Sequence, residues 1–210
     1  MATETQHAAR PGRMTAMQFR ELQHHRPDHE RWELIAGVAT MMTPPTLAHN
    51  RIAGNLERLL DDALASHDPE RLVTQRPGVE LASGNYRPEP DVGVIDADYQ
   101  PNQRFVDRVY LLAEIVSDSH AMRVPGTDRT WIDVKRAIYL DHPACAAVLI
   151  VEQDRMEVRL DARTDQGWVS TTLGPADNLD LPSFGLGCAV ADLYEGTPLQ
   201  PRPIGKPQSE

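Results

Sequence analysis

Arg87-Pro88-Glu89-Pro90-Asp91-Val92-Gly93-Val94-Ile95, and after a polar loop Val109-Tyr110-Leu111-Leu112-Ala113-Glu114-Ile115-Val116-Ser117, is the stretch on which this chain turns. Val92 to Ile95 is a short β-branched run, and Asp96 to Arg104 is the polar loop after it. The second run, Val109 to Val116, is apolar on both faces, the pattern of a strand covered on both sides. Glu114 lies near its end between apolar neighbours, where an ionised carboxylate is costly unless it is paired or holds a metal. Asp91 begins the preceding strand, so two neighbouring strands can bring both carboxylates to one point.

The rest of the chain reads as a scaffold for that pair. Thr15 followed by Gln18 forms a capping box for a short helix carrying Met17, Phe19 and Leu22. Arg31 to Ile35 reads as a strand, Ala36-Gly37 turns it, and Val38 to Met42 returns until Pro44-Pro45 stops the arm. From Thr46 to about Ser66 an apolar stripe at Ile52, Leu56, Leu59, Leu60, Ala63 and Leu64 marks a helix, which Asp68-Pro69 ends. Leu72 to Leu81 reads as one strand, with Ser83-Gly84-Asn85 as the following turn. Beyond Val116 come a loop to Asp128, a helix from about Arg129 to Asp141, and a buried strand from Ala146 to Val151. Met156, Val158 and Leu160 alternate as a half-exposed strand that Trp168 to Leu173 pairs with. Leu193 and Tyr194 belong to a short terminal helix. This order predicts an α/β fold, one domain over residues 15–196 with a central mixed sheet and a helix on each face. Residues 1–14 and the Pro-rich 197–210 read as disordered tails.

Composition agrees: 210 residues, 40% hydrophobic and 25% charged, suit one globular domain with a core that needs no disulfides. Cys145 and Cys188 stand far apart with no CxxC pair, so both read as reduced thiols. No run approaches the roughly 18 apolar residues of a membrane span, and Met1 to Arg13 lacks the apolar core of a signal peptide. A cytoplasmic protein with no membrane partner is the expectation. The formal net charge of −10 argues against indiscriminate nucleic-acid binding. It leaves room for a local basic patch, for which Arg76, Arg87, Arg104, Arg108, Arg123 and Arg129 are the candidates.

Lys135 stands out on its helix. Its neighbours three and four residues away are Trp131, Ile132, Ile138 and Tyr139, all large and mostly apolar, whereas Asp133 and Arg136 mark the solvated side. A lysine inside such a stripe snorkels to an edge or meets an acid within, and Glu114 is the natural partner. Two carboxylates and a lysine make a phosphodiesterase constellation. The carboxylates hold a divalent metal through oxygen, the metal activates water, and the lysine stabilises the transition state.

At these residues the sequence resembles the Uma family of restriction endonucleases, a branch of the PD-(D/E)XK nuclease superfamily. The resemblance runs from about Thr15 to Tyr194. It rests on Trp32-Glu33-Leu34-Ile35-Ala36-Gly37, Pro44-Pro45 with His49, the Pro-Asp element within Arg87 to Val92, Glu114-Ile115-Val116-Ser117, and Lys135 with Tyr139. It implies a restriction-endonuclease-like fold, a magnesium or manganese site at Asp91 and Glu114, and Lys135 as the catalytic lysine, with Glu33 and His49 as accessory residues. It also departs from the pattern. The superfamily pattern would place the lysine where this chain has Val116, but taking it from the following helix is a feature of this branch. Asp118 and His120 stand where the family favours Pro and Thr, Arg123 to Thr130 is enlarged, and Glu152 replaces an Asp.

Each residue also has a plainer reading. Asp91 can cap a turn, Glu114 and Lys135 can be a structural pair, Glu33 can be an exposed hairpin residue, and His49 can simply enter a helix. Ser117 with His120 lacks the strand-turn-helix elbow and the third partner of a nucleophile site. His24, His25 and His29 lie in a polar stretch. The leading expectation is a metal-dependent endonuclease acting on DNA, as a homodimer because cutting both strands favours two-fold symmetry. A non-catalytic binding or regulatory module of the same fold is the alternative, and a small-molecule phosphoesterase is a third.

Overall fold

A computed structural model of the protein describes residues 13–27, 29–81, 85–116, 122–125 and 127–202. Its elements in chain order are α1 (Ala16–His24), β1 (Trp32–Ile35), β2 (Val38–Met41), α2 (Leu47–His67), β3 (Arg71–Gln75), β4 (Gly78–Val79), β5 (Val92–Asp96), β6 (Phe105–Val106), β7 (Val109–Val116), α3 (Trp131–Leu140), β8 (Ala147–Glu152), β9 (Val158–Thr164), β10 (Gly167–Leu173), β11 (Asn178–Leu181) and β12 (Leu186–Ala189). A six-stranded sheet in the order β10-β9-β8-β7-β5-β3 forms the centre. It is mixed: β7 and β8 run parallel, and the other neighbours are antiparallel.

The two faces of β7 explain the layers. Leu111, Ala113 and Ile115 join Ile52, Leu56, Leu60 and Leu64 of α2 in one core. Val109 and Leu112 join Tyr139 of α3, with Val148 and Ile150 of β8, in the other. A strand covered by a helix on each side must be apolar at nearly every position, which is why its sequence does not alternate. The helix starts follow their caps. Thr15 and Gln18 form the capping box of α1, the Thr46 hydroxyl accepts the His49 N–H, and Thr130 and Asp133 form a second box at α3.

The β1–β2 hairpin turns through Ala36 (φ 51°) and Gly37 (φ 78°), the left-handed pair that a tight two-residue turn requires. It is clipped to the segment before Asp91: the Leu34 N–H donates to the Arg87 carbonyl at 3.2 Å, and the Arg87 N–H returns to Leu34 at 2.7 Å. One face of the hairpin therefore packs under α3, where Ile35 meets Val134 and Val124.

Two expectations need correction, and one hairpin was not foreseen. The single strand foreseen from Leu72 to Leu81 is two pieces, β3 and β4, broken where Arg76 takes φ 57° and Pro77 follows. Proline lacks the ladder N–H, and the left-handed Arg76 turns the chain away from β5. The β11–β12 hairpin was not foreseen, because each arm is four residues long and a 3-10 turn at Pro182–Phe184 lies between them. The foreseen C-terminal tail starts too early. Thr197 is buried and its hydroxyl donates to the Tyr194 carbonyl at 2.7 Å, while Gly196 N–H reaches the Gln200 carbonyl at 2.8 Å. Turn hydrogen bonds of this kind leave no hydrophobic period to read. Tail residues 1–12 and 203–210, most of the Ser83-Gly84-Asn85 turn, and Ser117, Asp118 and His120 lie outside the described residues. Cys145 is buried and Cys188 half-buried, both as free thiols. Among the described residues no helix is long and apolar enough to cross a membrane.

Candidate active site

β5 and β7 set the geometry. Val92 stands opposite Ala113 in their antiparallel ladder. One step further along the same register, Asp91 comes opposite Glu114, and directly opposed residues share a face of the sheet. The Asp91 carboxylate bends over the strand end, where its Oδ2 accepts the Ile115 N–H at 2.8 Å and lies 3.1 Å from His49 Nε2. An ionised carboxylate only accepts, so Nε2 carries the proton of this bond. His49 arrives from the first turn of α2, and its Nδ1 is buried with no partner among the described residues. Oδ1 of Asp91 accepts no hydrogen bond among them either.

Glu114 is 1% exposed and Lys135 2%. The Lys135 ammonium lies 3.0 Å from both oxygens of Glu114, the pairing that the spacing on α3 suggests. It also lies 2.8 Å from Oε1 of Glu33, which is 3% exposed. Glu33 is therefore not a solvated hairpin residue. Docking of the hairpin turns it inward, and its Oε1 accepts the Glu89 N–H at 2.7 Å as well. Tyr139, one turn after Lys135, donates its hydroxyl to Glu114 Oε1 at 2.5 Å. Two carboxylates, from β1 and β7, thus hold one ammonium.

The proton affinities follow from this crowding. Burial pushes the Lys135 ammonium toward neutrality, but Glu114, Glu33 and Asp91 outweigh it and raise its pKa above the usual lysine value. Burial raises the Asp91 pKa, but the hydrogen bond and charge of His49, the charge of Lys135 and the Ile115 N–H together leave it lowered. Glu33 goes the other way: burial raises it, with Lys135 opposing and Glu114 adding to the rise. Burial, then Glu114 and Glu33, hold the Tyr139 phenol neutral well past its ordinary range. For Lys135 and Tyr139 the folded pKa exceeds the unfolded one. Their stabilisation is full below the ordinary values of 10.5 and 10.0 and is lost as pH rises through the folded values. Unfolding free energy should therefore fall with pH above about 10. Tyr139→Phe should flatten that decline in urea titrations, and an unchanged slope would contradict the Tyr139 assignment.

The basic candidates do not gather as one group. Arg87 is buried and ion-paired to Glu80. Arg108 pairs with Asp96, at the far end of β5 from Asp91. The charge of Arg76 couples to Asp91. Two oxygen ligands, Asp91 and Glu114, suit magnesium or manganese, ions that keep several waters and need only one or two carboxylates. A closed cage is a different matter: among the described residues no three His, Cys, Asp or Glu side chains are grouped to hold a metal. Sequence reasoning missed that Lys135 has two carboxylate partners. The Trp32-Glu33-Leu34-Ile35 motif was the only signal for Glu33.

A family model described as "Uma2: Putative restriction endonuclease" matches residues 16–191. Among solved structures the chain is similar to one described as "a putative nuclease belonging to DUF820 from Anabaena variabilis ATCC 29413". The TM-score is 0.65 at 16% identity, covering 86% of this chain and 97% of that one, a likeness of fold. No curated protein matches the chain.

Proposed function

The chain belongs to the Uma2 family of restriction-endonuclease type, and from that premise we propose that it is a divalent-metal-dependent endonuclease that hydrolyses DNA phosphodiester bonds. The observation that carries the reading is the buried ammonium of Lys135 in contact with both Glu33 and Glu114, with the charge of Asp91 acting on it too. Two carboxylates on one ammonium, with the carboxylate of Asp91 acting on its charge as well, leave an acidic excess suited to a divalent cation. Asp91 and Glu114 would hold magnesium or manganese, which when bound supplies a Lewis acid and an activated water.

The chain's own groups then have separable tasks. Lys135 stays protonated at neutral pH, so it serves as a fixed positive charge for the phosphate and not as a base. Glu33 holds the ammonium together with Glu114. Tyr139 and the Ile115 N–H orient the Glu114 and Asp91 carboxylates, and His49 fixes Asp91 from α2. A symmetric dimer would place two such sites on opposite strands.

One observation favours the non-catalytic alternative. Both oxygens of Glu114 already contact Lys135, and Oε1 also accepts from Tyr139, so the pair satisfies itself without a metal. Incubating the full chain with supercoiled plasmid decides between them. The nuclease reading expects nicked or linear product with millimolar magnesium or manganese and none with a chelator. Intact plasmid under every metal condition would favour the binding module.

A further inference from the structure

Next to the site lies a cleft of about 1040 Å³ between α1, the β3–β4 break and the Tyr99–Val106 segment. Its volume is at or above the upper end of small-molecule pockets, roughly 300–1000 Å³. Five arginines line it (Arg20, Arg26, Arg31, Arg76 and Arg104) against three carboxylates, Glu30, Asp61 and Glu89. On a chain of net charge −10 this is a locally positive surface. Some of that charge is spoken for: Arg20 pairs with Glu80 at 2.5 Å, Arg31 pairs with Glu89 at 2.7 Å, and Arg26 lies 3.9 Å from Glu30. Arg76 has no carboxylate within ion-pair distance among the described residues, and its Nη2 reaches only Asn50 Oδ1, at 3.4 Å.

Three aromatic rings stand among these cations, one of them exposed. Tyr99 is 57% exposed at the cleft lip, Phe105 is half-buried in its wall, and Trp32 lies under Arg26 with the guanidinium 5.1 Å from the ring centroid. The cleft also leads to the candidate site. The Arg76 N–H donates to the Asp91 carbonyl at 3.2 Å, and Glu89 in the cleft wall donates its N–H to Glu33.

Cations that follow a backbone, interleaved with exposed ring faces, are the means by which proteins hold unpaired strands, because only unpaired bases offer their faces for stacking. We propose that this cleft binds a single strand of DNA, with phosphates on Arg26 and Arg76 and bases stacked on Tyr99 and Phe105, and guides it to Asp91. The direction of delivery rests on the nuclease reading; the binding does not.

The test is fluorescence anisotropy with the full chain in chelator, using a labelled oligothymidylate of about a dozen nucleotides, within the span of common single-strand sites, and a duplex of equal length. The single strand should bind at least about tenfold tighter than the duplex, and weaken with added salt. The double variant R26E/Y99A should bind it about tenfold more weakly. Tyr99 is exposed and Arg26 only loosely paired, so its thermal melt should match the wild type. Y99A alone gives a second reading in which no charge changes. Absent binding, equal or tighter duplex binding, or wild-type affinity in both variants would overturn the proposal. Strand binding without metal-dependent cleavage would sink the nuclease reading and leave the cleft. Cleavage with unaffected binding in the variants would sink the cleft alone.

Discussion

Lys135→Met should cost the fold about 3–5 kcal/mol at neutral pH, because it leaves buried carboxylates without their counter-charge. Methionine itself suits the surroundings, since Trp131, Ile132, Ile138 and Tyr139 form an apolar face and the straight chain replaces the lysine stem. The loss is electrostatic. Glu33 and Glu114 are almost fully buried, and Tyr139 together with the Glu89 N–H cannot replace an ammonium. In the variant the Glu33 carboxyl, already raised by burial and no longer opposed by Lys135, should be raised further. That form of stability is present below the unfolded carboxyl pKa and is lost as pH rises through the folded one. The deficit in urea unfolding should accordingly narrow toward about pH 4 and be largest at neutrality. Cleavage should fall about 10²-fold or more if Lys135 supplies charge to the transition state. Adding Glu33→Gln removes one stranded charge, so the double variant should regain part of the stability and none of the cleavage. Recovery of both together would reduce Lys135 to a counter-ion.

Asp91→Ala should abolish metal-dependent cleavage, again by about 10²-fold or more, with a smaller loss of stability. The Ile115 N–H and the His49 ring lose their acceptor, and an unsatisfied buried donor costs about 1–3 kcal/mol. Magnesium should raise the melting temperature of the wild type through mass action and leave that of Asp91→Ala nearly unchanged. Asp91→Asn is the sharper control, because the amide oxygen can still accept the Ile115 N–H while the charge is gone. The lowered Asp91 pKa adds a pH signature. Its stabilisation is present above the ordinary carboxyl value of 3.8 and is lost as pH falls through the folded one, so Asp91→Asn should be less acid-sensitive than the wild type. Calorimetry showing equal magnesium binding by wild type and Asp91→Ala would remove Asp91 from the metal site.

The sequence by itself determined the parts whose causes are local. Thr15, Thr46 and Thr130 each begin a helix because a side-chain oxygen accepts an N–H within the first turn, and that chemistry is written within four residues. The eight-residue run of β7 announced a strand covered on both faces, and Glu114 within it announced a buried partner. Lys135 was legible as that partner because helical spacing fixes which residues share its face. The motifs at Trp32, Pro44, Asp91, Glu114 and Lys135 likewise carried the family.

The tertiary structure alone decided the rest. A four-residue strand such as β1 has two faces and no local sign of which is buried. Only the Leu34–Arg87 bridge, which clips the hairpin beneath α3, turns Glu33 onto Lys135. The break at Arg76-Pro77 was visible as a proline, but whether it bends an edge strand or ends it depends on β5 holding the first half and β6 the second. The cleft is assembled from α1, β1, β3–β4 and β6, segments dozens of residues apart. Its charge arises because folding brings arginines together while the chain's excess of acid lies elsewhere, a property of arrangement that composition cannot express.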